Sequence, residues 1–245
     1  MSKIIAFLLT LPVILTATDI YMAGDSTMAQ YGGKYPPMKG WGMEMQKHCK
    51  TGVTVYNRAV GGRSSKSFIT EKLWEKIVKE AKKGDFVIIQ FGHNDAVRGE
   101  KNLYRSTYPE NTYRLYLRIY IEEARSKGLI PILCTQTMIC NFGKDGKLLK
   151  NHRTNEKYVN ACREVAKETG CSLIDINALA FKKLAKLTKA EAESHYMVVK
   201  KGEYPNYPNG KNDRCHLHKK GAAFYANIFV EEAKKQQLAI AELFK

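Results

Sequence analysis

Short apolar runs bounded by turn-forming residues alternate with longer stretches of helical periodicity along most of the chain. The run FVIIQF at 86–91 is the clearest, because it is apolar at all but one position. Strands of this kind are buried on both faces, as in a parallel sheet that is covered by helices on each side. Five strands are predicted, at residues 19–23, 53–57, 86–91, 130–134 and 172–174.

Four amphipathic segments predict helices between and after these strands. Gly128 and Gly170 stand where helix C-caps belong, and Pro109 stands where a helix would begin. The predicted helices span residues 67–82, 110–127, 154–169 and 219 to about 237. Alternating strands and helices predict a three-layer α/β/α sandwich around a five-stranded parallel sheet, whose right-handed crossovers bring the carboxyl ends of all strands to one edge. We expect the functional residues at that edge.

The rest of the chain gives weaker signals. A lysine-rich stretch at 182–201 is interpreted as a solvated helix and loop, and YPNYPNG at 204–210 as a loop. The sequence shows no internal repeat and no linker. Because 245 residues is within the range of one α/β domain, residues 19–245 are predicted to form a single domain.

The first eighteen residues have the organisation of a secretory signal peptide. Lys3 precedes an apolar run at 4–15, and small residues suitable for cleavage follow at 16–18. A run of about 12 residues is too short to cross the ~30 Å hydrocarbon core of a bilayer as a helix, and no later stretch approaches the ~20 residues required. We therefore expect an exported protein, extracellular or periplasmic, that does not reside in a membrane.

The chain is strongly basic, with 40 Lys and Arg against 24 Asp and Glu and a formal net charge of +16. Such a charge attracts polyanions, namely nucleic acid, anionic lipid or an acidic polysaccharide. Charge alone does not choose among them, and a solvated lysine-rich surface would give the same balance.

Six cysteines follow the predicted signal peptide, and disulfides persist in an oxidising compartment. Their pairing cannot be deduced from the sequence. The chain has no CxxC, no HExxH and no His/Cys spacing typical of zinc, so we expect no metal. The cysteines are Cys49, Cys134, Cys140, Cys162, Cys171 and Cys215.

Polar loops that follow the predicted strands supply the residue types of a serine hydrolase. Ser26 comes two residues after Gly24, where its hydroxyl would project at the start of the next helical turn. A serine hydroxyl needs a base to take its proton, and the base needs an acceptor on its other nitrogen. His216 and Asp213, spaced i and i+3 on a predicted tight turn, supply both groups.

A tetrahedral intermediate also needs hydrogen-bond donors for its oxyanion, each worth about 10²–10³ in rate. Three candidates come from loops at the predicted edge of the sheet: the backbone N–H of Ser26, the backbone N–H of Gly62 and the side-chain amide of Asn94. Glycine lets the main chain approach a ligand closely.

Four short blocks in this order resemble the SGNH (GDSL-type) hydrolases, and most closely the rhamnogalacturonan acetylesterase group. They are GDST at 24–27, NRAVGGRS at 57–64, GHND at 92–95 and DRCH at 213–216. The resemblance runs from residue 19 to the last predicted helix. It implies a flavodoxin-like sandwich and removal of acetyl groups from a pectic polysaccharide without a metal or cofactor. By the same resemblance, Ser26 is the nucleophile, Asp213 and His216 are the acid and base, and Gly62 and Asn94 join the Ser26 amide as oxyanion donors.

One position departs from the resemblance, because related chains usually carry Thr where Cys215 precedes the predicted catalytic histidine. The hydrogen bonding of that loop is therefore in question. His93 is expected to be structural, and His218 competes weakly as a base, because Asp213 is five residues before it.

Trp41, Tyr204 and Tyr207 are candidates for stacking on sugar rings, with ordinary packing as the alternative. The predicted partner is an acetylated acidic polysaccharide, with no nucleic acid and no membrane, and a monomer is expected. Three other functions remain open: a lipase or thioesterase on longer acyl groups, an acetylxylan esterase, and a non-catalytic module that binds polyanions, nucleic acid included.

Overall fold

A computed structural model of the protein describes residues 18–33, 35–150 and 153–245. The predicted signal peptide, apart from Thr18, lies outside these ranges and stays a prediction. No helix in the described part of the chain is both long enough and apolar enough to cross a membrane.

A five-stranded parallel sheet forms the centre of the fold, in the strand order β2-β1-β3-β4-β5. The strands are β1 (Ile20–Gly24), β2 (Val55–Asn57), β3 (Phe86–Gln90), β4 (Ile130–Cys134) and β5 (Ser172–Ile174). This is the order of the flavodoxin-like doubly wound fold, so the predicted fold class is confirmed. The direction of winding reverses between β1 and β3, and a ligand crevice is expected beyond their carboxyl ends.

Helices cover both faces of the sheet. They are α1 (Ser65–Thr70), α2 (Leu73–Glu80), α3 (Thr112–Ser126), α4 (Arg153–Thr169), α5 (Ile176–Leu184), α6 (Lys189–Glu193) and α7 (Lys219–Lys235). Short 3-10 turns are present at Trp41–Met43, Met45–His48, Glu100–Asn102 and Ala239–Leu243. The predicted helix at 67–82 is two helices, because Lys72 adopts a left-handed conformation with φ of 59° between α1 and α2.

Alternate strand residues enter two different apolar cores, which explains the nearly continuous apolar runs. On one face, Met22 and Ile88 pack with Phe229 of α7. On the other, Val87 and Ile89 pack with residues of α3 and α4. Burial on both faces fixes the sheet and thereby the positions of the loops that leave β1 and β3.

The lysine-rich stretch is more ordered than predicted. Its last part forms β6 (Tyr196–Val199), which pairs antiparallel with β7 (Lys211–Leu217). Tyr196 and Met197 are completely buried, so the interpretation of 182–201 as a solvated helix and loop is wrong for this part. The flanking lysines made this segment look polar, so its short apolar strand was not predicted. The partner strand β7 carries the predicted acid and base.

Candidate active site

The loop after β1 holds Ser26 at the carboxyl edge of the sheet. The backbone carbonyl of Asp25 accepts hydrogen bonds from the N–H groups of Met28 and Ala29. The Asp25 carboxylate accepts hydrogen bonds from the N–H and the hydroxyl of Thr27, at 2.9 and 2.8 Å. These bonds close a tight turn that leaves the Ser26 side chain partly exposed.

Three predicted site residues from opposite ends of the chain form one chain of hydrogen bonds. Oγ of Ser26 lies 3.0 Å from Nε2 of His216. Nδ1 of the same ring lies 2.7 Å from Oδ2 of Asp213. A hydroxyl, an imidazole and a carboxylate in this arrangement can transfer a proton from the hydroxyl to the ring while the carboxylate stabilises the imidazolium.

The predicted tight turn of the acid and base is a bulge inside β7. Asp213 pairs with Met197 and Leu217 pairs with Tyr196, so the register shifts by three residues between them. Oδ1 of Asp213 accepts the backbone N–H groups of Cys215 and His216, each at 3.0 Å. The bulge thereby turns the His216 ring back towards the Asp213 carboxylate.

Burial alone would raise the pKa of Asp213. The hydrogen bonds from the ring and backbone of His216, and from the backbone of Cys215, outweigh burial and hold the pKa of this carboxyl well below its usual range. Lys211 adds a further contact, because its Nζ lies 3.2 Å from Oδ2 of Asp213. The sequence analysis missed Lys211, whose only signal is its position two residues before the aspartate on the same strand.

The predicted oxyanion donors line the same cleft as Ser26. Gly62 has a φ of 79°, a left-handed conformation that favours glycine. Nδ2 of Asn94 donates one hydrogen bond to the carbonyl of Arg63 at 3.0 Å, which leaves its second N–H for a ligand. Within the described ranges, the backbone N–H groups of Ser26 and Gly62 have no acceptor in the protein.

Asp95, the last residue of the GHND block, is buried and anchors the loop that carries Asn94. Its buried carboxylate accepts hydrogen bonds from the N–H and hydroxyl of Ser65 and from the hydroxyl of Thr107. Burial raises the pKa of Asp95 to about 6, although these hydrogen bonds oppose the shift. The sequence analysis included Asp95 in the GHND block but did not predict that it anchors the loop.

The cleft around Ser26 has a volume of about 550 Å³. Among the described residues that line it, Arg105 is the only arginine or lysine, and none carries a carboxylate. Cys215 also lines the cleft, and burial raises the pKa of its thiol well above the usual range, so the thiol stays protonated. The lining residues are Ser26, Tyr31, Tyr35, Met38, Gly61, Gly62, His93, Asn94, Arg105, Ile139, Asn155, Cys215 and His216.

Trp41 was a candidate for stacking on sugar rings, with ordinary packing as the alternative, and the structure shows ordinary packing. Its side chain is completely buried, its ring stacks on Phe229 at 5.7 Å, and its Nε1 donates to Oε1 of Gln90 at 2.6 Å. The neighbouring Gly40 explains the burial, because a Cβ there would lie 2.1 Å from the carbonyl oxygen of Ala29. The glycine marks close backbone packing and not an exposed aromatic loop.

Tyr204 and Tyr207 lie beside the cleft but do not line it. The Tyr204 hydroxyl lies 3.1 Å from Nε2 of His218, and the Tyr207 hydroxyl donates to the carbonyl of Tyr35 at 3.2 Å. The tyrosines among the described lining residues are Tyr31 and Tyr35, which the sequence analysis did not single out. Tyr207 thus holds the backbone of the lining residue Tyr35, whereas Tyr204 contacts a histidine outside the lining.

Two further histidines are placed by their contacts. Nε2 of His93 lies 3.0 Å from the hydroxyl of Thr137. His218 accepts the N–H of Lys220 at the start of α7, and its other ring nitrogen is engaged by Tyr204. No group of His, Cys, Asp and Glu side chains within the described residues could hold a metal ion. All six cysteines are free thiols, of which five are buried and Cys215 is partly buried.

Comparison with known proteins points to one family. Residues 22–224 match the GDSL-like lipase/acylhydrolase family. The chain is 30% identical to the rhamnogalacturonan acetylesterase RhgT of Bacillus subtilis, over 91% of this chain and 93% of the relative. It is 35% identical to the probable rhamnogalacturonan acetylesterase YesY of the same organism, over 92% of this chain and 97% of the relative.

Solved structures give the same fold. The crystal structure of the Bacillus subtilis protein YxiM matches with a TM-score of 0.75 and 26% identity, over 91% of this chain but only 58% of that protein. The acetylxylan esterase Axe2 of Geobacillus stearothermophilus matches with a TM-score of 0.61 over 89% of this chain and 94% of the relative. At 21% identity, the second likeness concerns the fold alone.

Proposed function

The chain belongs to the GDSL-like lipase/acylhydrolase family and is a carboxylic ester hydrolase, and we propose that it removes O-acetyl groups from an acidic, rhamnogalacturonan-type pectic polysaccharide. The observation that carries this proposal is the chain of hydrogen bonds from Ser26 through His216 to Asp213, at 3.0 and 2.7 Å. Such a relay activates a serine hydroxyl, and Ser26 lies here in a cleft that is also lined by the candidate oxyanion donors Gly62 and Asn94.

In the first half of the reaction, Oγ of Ser26 attacks the acetyl carbonyl carbon while Nε2 of His216 takes the hydroxyl proton. The carbonyl oxygen becomes an oxyanion, which the N–H groups of Ser26 and Gly62 and the amide of Asn94 bind. Collapse of this intermediate breaks the bond to the sugar oxygen. His216 returns its proton to that oxygen, so the sugar hydroxyl leaves and an acetyl-serine remains.

In the second half, water replaces the sugar. His216 takes a proton from the water, whose oxygen attacks the acetyl-serine carbonyl, and the same donors bind the second oxyanion. The bond to Oγ then breaks, Ser26 regains its proton from His216, and acetate leaves. Asp213 remains ionised throughout, which is consistent with the strong depression of its pKa.

The names of the relatives and the charge of the chain support the choice of substrate. RhgT is named a rhamnogalacturonan acetylesterase and YesY a probable one. A net charge of +16 raises the encounter rate with a galacturonate-containing polymer. No carboxylate is among the described residues that line the cleft, so none of them repels an anionic chain at the site.

Acetate release from acetylated rhamnogalacturonan, xylan and homogalacturonan, measured side by side, tests the proposal. We expect the fastest release from rhamnogalacturonan and faster hydrolysis of p-nitrophenyl acetate than of p-nitrophenyl octanoate. Preference for xylan would make the protein an acetylxylan esterase, and preference for the octanoate would make it a lipase or thioesterase. Either result would overturn the proposed substrate.

The same assays distinguish catalysis from binding. We expect Ser26→Ala and His216→Ala each to lower kcat by several orders of magnitude with the fold intact, because each removes a member of the proton relay. A protein that only binds polyanions would hydrolyse none of these esters, and its salt-sensitive binding would persist in Ser26→Ala.

We also propose that the protein is exported and acts outside the cytoplasm. The support is the pattern of Lys3, the apolar run at 4–15 and the small residues at 16–18. Determining the N-terminus of the protein recovered from each cell fraction of the source organism tests this. Export predicts a chain that begins at residue 19, outside the cytoplasm, and an intact chain confined to the cytoplasm would contradict it.

A further inference from the structure

Arg105 connects the two loops that carry the oxyanion donors. Nη1 of its guanidinium donates to the carbonyl of Gly62 and to Oδ1 of Asn94, each at 3.2 Å. Nε and Nη2 donate to Oδ1 of Asn102, at 3.0 and 2.6 Å. One side chain thus holds a residue after β2, a residue after β3 and its own loop in a fixed arrangement.

The number of donors decides between two functions for this arginine. A guanidinium has five N–H groups, and these contacts use four of them. One N–H is left, so Arg105 cannot donate two hydrogen bonds to a substrate carboxylate unless it releases Gly62, Asn94 or Asn102. Its contacts are those of a residue built into the wall of the site, and not of a free clamp for a uronate.

The contact with Asn94 decides which way that side chain faces. Because a guanidinium only donates, the atom opposite Nη1 must be the carbonyl oxygen of the amide. Nδ2 then points to the carbonyl of Arg63 and into the cleft. Without Arg105 the amide could rotate and present its oxygen to the oxyanion, which would repel it.

The charge of Arg105 adds to this effect. Within the described part of the chain, its guanidinium forms no ion pair with any carboxylate, whereas several other arginines do. It is partly buried and lines the cleft. An uncompensated cation beside the donors favours negative charge where the oxyanion forms, and such preorganised charge is worth more in a partly dry site than in water.

We propose that Arg105 is a positioning residue of the oxyanion hole, which fixes Gly62 and the amide of Asn94 and raises the positive potential at the point where the oxyanion forms. This inference rests on the proposed ester hydrolysis at Ser26. It predicts that Arg105 affects kcat on any acyl ester, including one with no sugar and no carboxylate.

The test compares Arg105→Ala and Arg105→Lys with the unmodified protein, using p-nitrophenyl acetate and acetylated rhamnogalacturonan. We expect kcat to fall about 10- to 100-fold on both substrates in Arg105→Ala, with KM within about threefold. Arg105→Lys keeps the charge but not the planar set of N–H donors. Its kcat should therefore lie between that of Arg105→Ala and that of the unmodified protein. Guanidinium chloride at low concentration should restore part of the activity of Arg105→Ala.

Arg98→Ala is the matched control. Arg98 lies on the same stretch and donates to two backbone carbonyls and to the hydroxyl of Tyr158, but it does not line the cleft. We expect its kcat to stay close to that of the unmodified protein and guanidinium to have no restoring effect. Circular dichroism of each variant separates loss of fold from loss of rate, and Arg105→Lys decides the question if the alanine variant unfolds.

Two results would overturn the proposal. Unchanged kcat of Arg105→Ala on p-nitrophenyl acetate would show that the arginine does not position the donors. A rise of KM on the polysaccharide alone would show a substrate clamp. Failure of the proposed function has a different signature, because the unmodified protein would then hydrolyse neither ester.

Discussion

A continuous chain of hydrogen bonds runs from the core beneath the sheet to the nucleophile loop. Nε1 of Trp41 donates to Gln90, whose Nε2 donates to the Thr27 hydroxyl at 3.1 Å, and that hydroxyl donates to Asp25. Trp41→Phe keeps an aromatic ring against Phe229 but removes the first donor. Oε1 of Gln90 is then buried without its indole partner.

The loss of stability in Trp41→Phe follows from the burial of both side chains. A buried acceptor that loses its partner costs about 1–3 kcal/mol, and the smaller ring leaves a void worth about 1 kcal/mol. The sum, about 2–4 kcal/mol, should lower Tm by roughly 5–15 °C for a chain of this size. Because Trp41 is completely buried and outside the cleft lining, KM for every ester should be unchanged.

Thermal unfolding followed by circular dichroism, together with kinetics on acetylated rhamnogalacturonan, measures both quantities. Trp74→Phe is the control, because the Trp74 indole donates to Oε2 of the exposed Glu123, which water can solvate after the change. It should lower Tm less than Trp41→Phe does. A Trp41→Phe protein with unchanged Tm and raised KM would refute this reasoning and restore Trp41 as a sugar-binding residue.

Two further predictions concern the acid of the relay. The depressed pKa of Asp213 means that its contribution to stability is complete above the usual carboxyl range and is lost as pH falls. The Tm difference between the unmodified protein and Asp213→Asn should therefore be largest near neutral pH and shrink below about pH 4; a constant difference would contradict it. Lys211→Met removes a cation 3.2 Å from the Asp213 carboxylate, so it should lower Tm by up to about 4 °C, and more at low than at high ionic strength because salt screens an ion pair. Lys211→Arg should keep Tm close to that of the unmodified protein. An identical Tm in both variants would show that this ion pair adds nothing to stability.

The layout of the sheet could be predicted because strands that are buried on both faces are apolar at nearly every position. The predicted strands at 130–134 and 172–174 coincide with β4 and β5. The prediction for β1 is shifted by one residue, and those for β2 and β3 differ by two and one residues at one end. The loops that follow β1 and β3 were therefore placed at the correct edge. Ser26 and Asn94 could be assigned to one site before any distance was known.

The predictions failed where tertiary contacts override the local pattern. Trp41 between two glycines is typical of an exposed loop, and only the approach of the Met28–Ala29 backbone shows why it is buried. Lysines around Tyr196 concealed β6. Arg105 gave no signal, because its contacts join segments that are distant in the chain. Lys211 gave only its spacing from Asp213, because its contact depends on a bulge in β7.

Trapping the acyl-enzyme tests the central claim most directly. The protein is mixed with p-nitrophenyl acetate, quenched in acid within one turnover, digested and analysed by mass spectrometry. We predict one added acetyl group on the peptide that contains Ser26, and no acetylation of that peptide in Ser26→Ala. An acetyl group on a different residue, or hydrolysis at full rate by Ser26→Ala, would contradict the account.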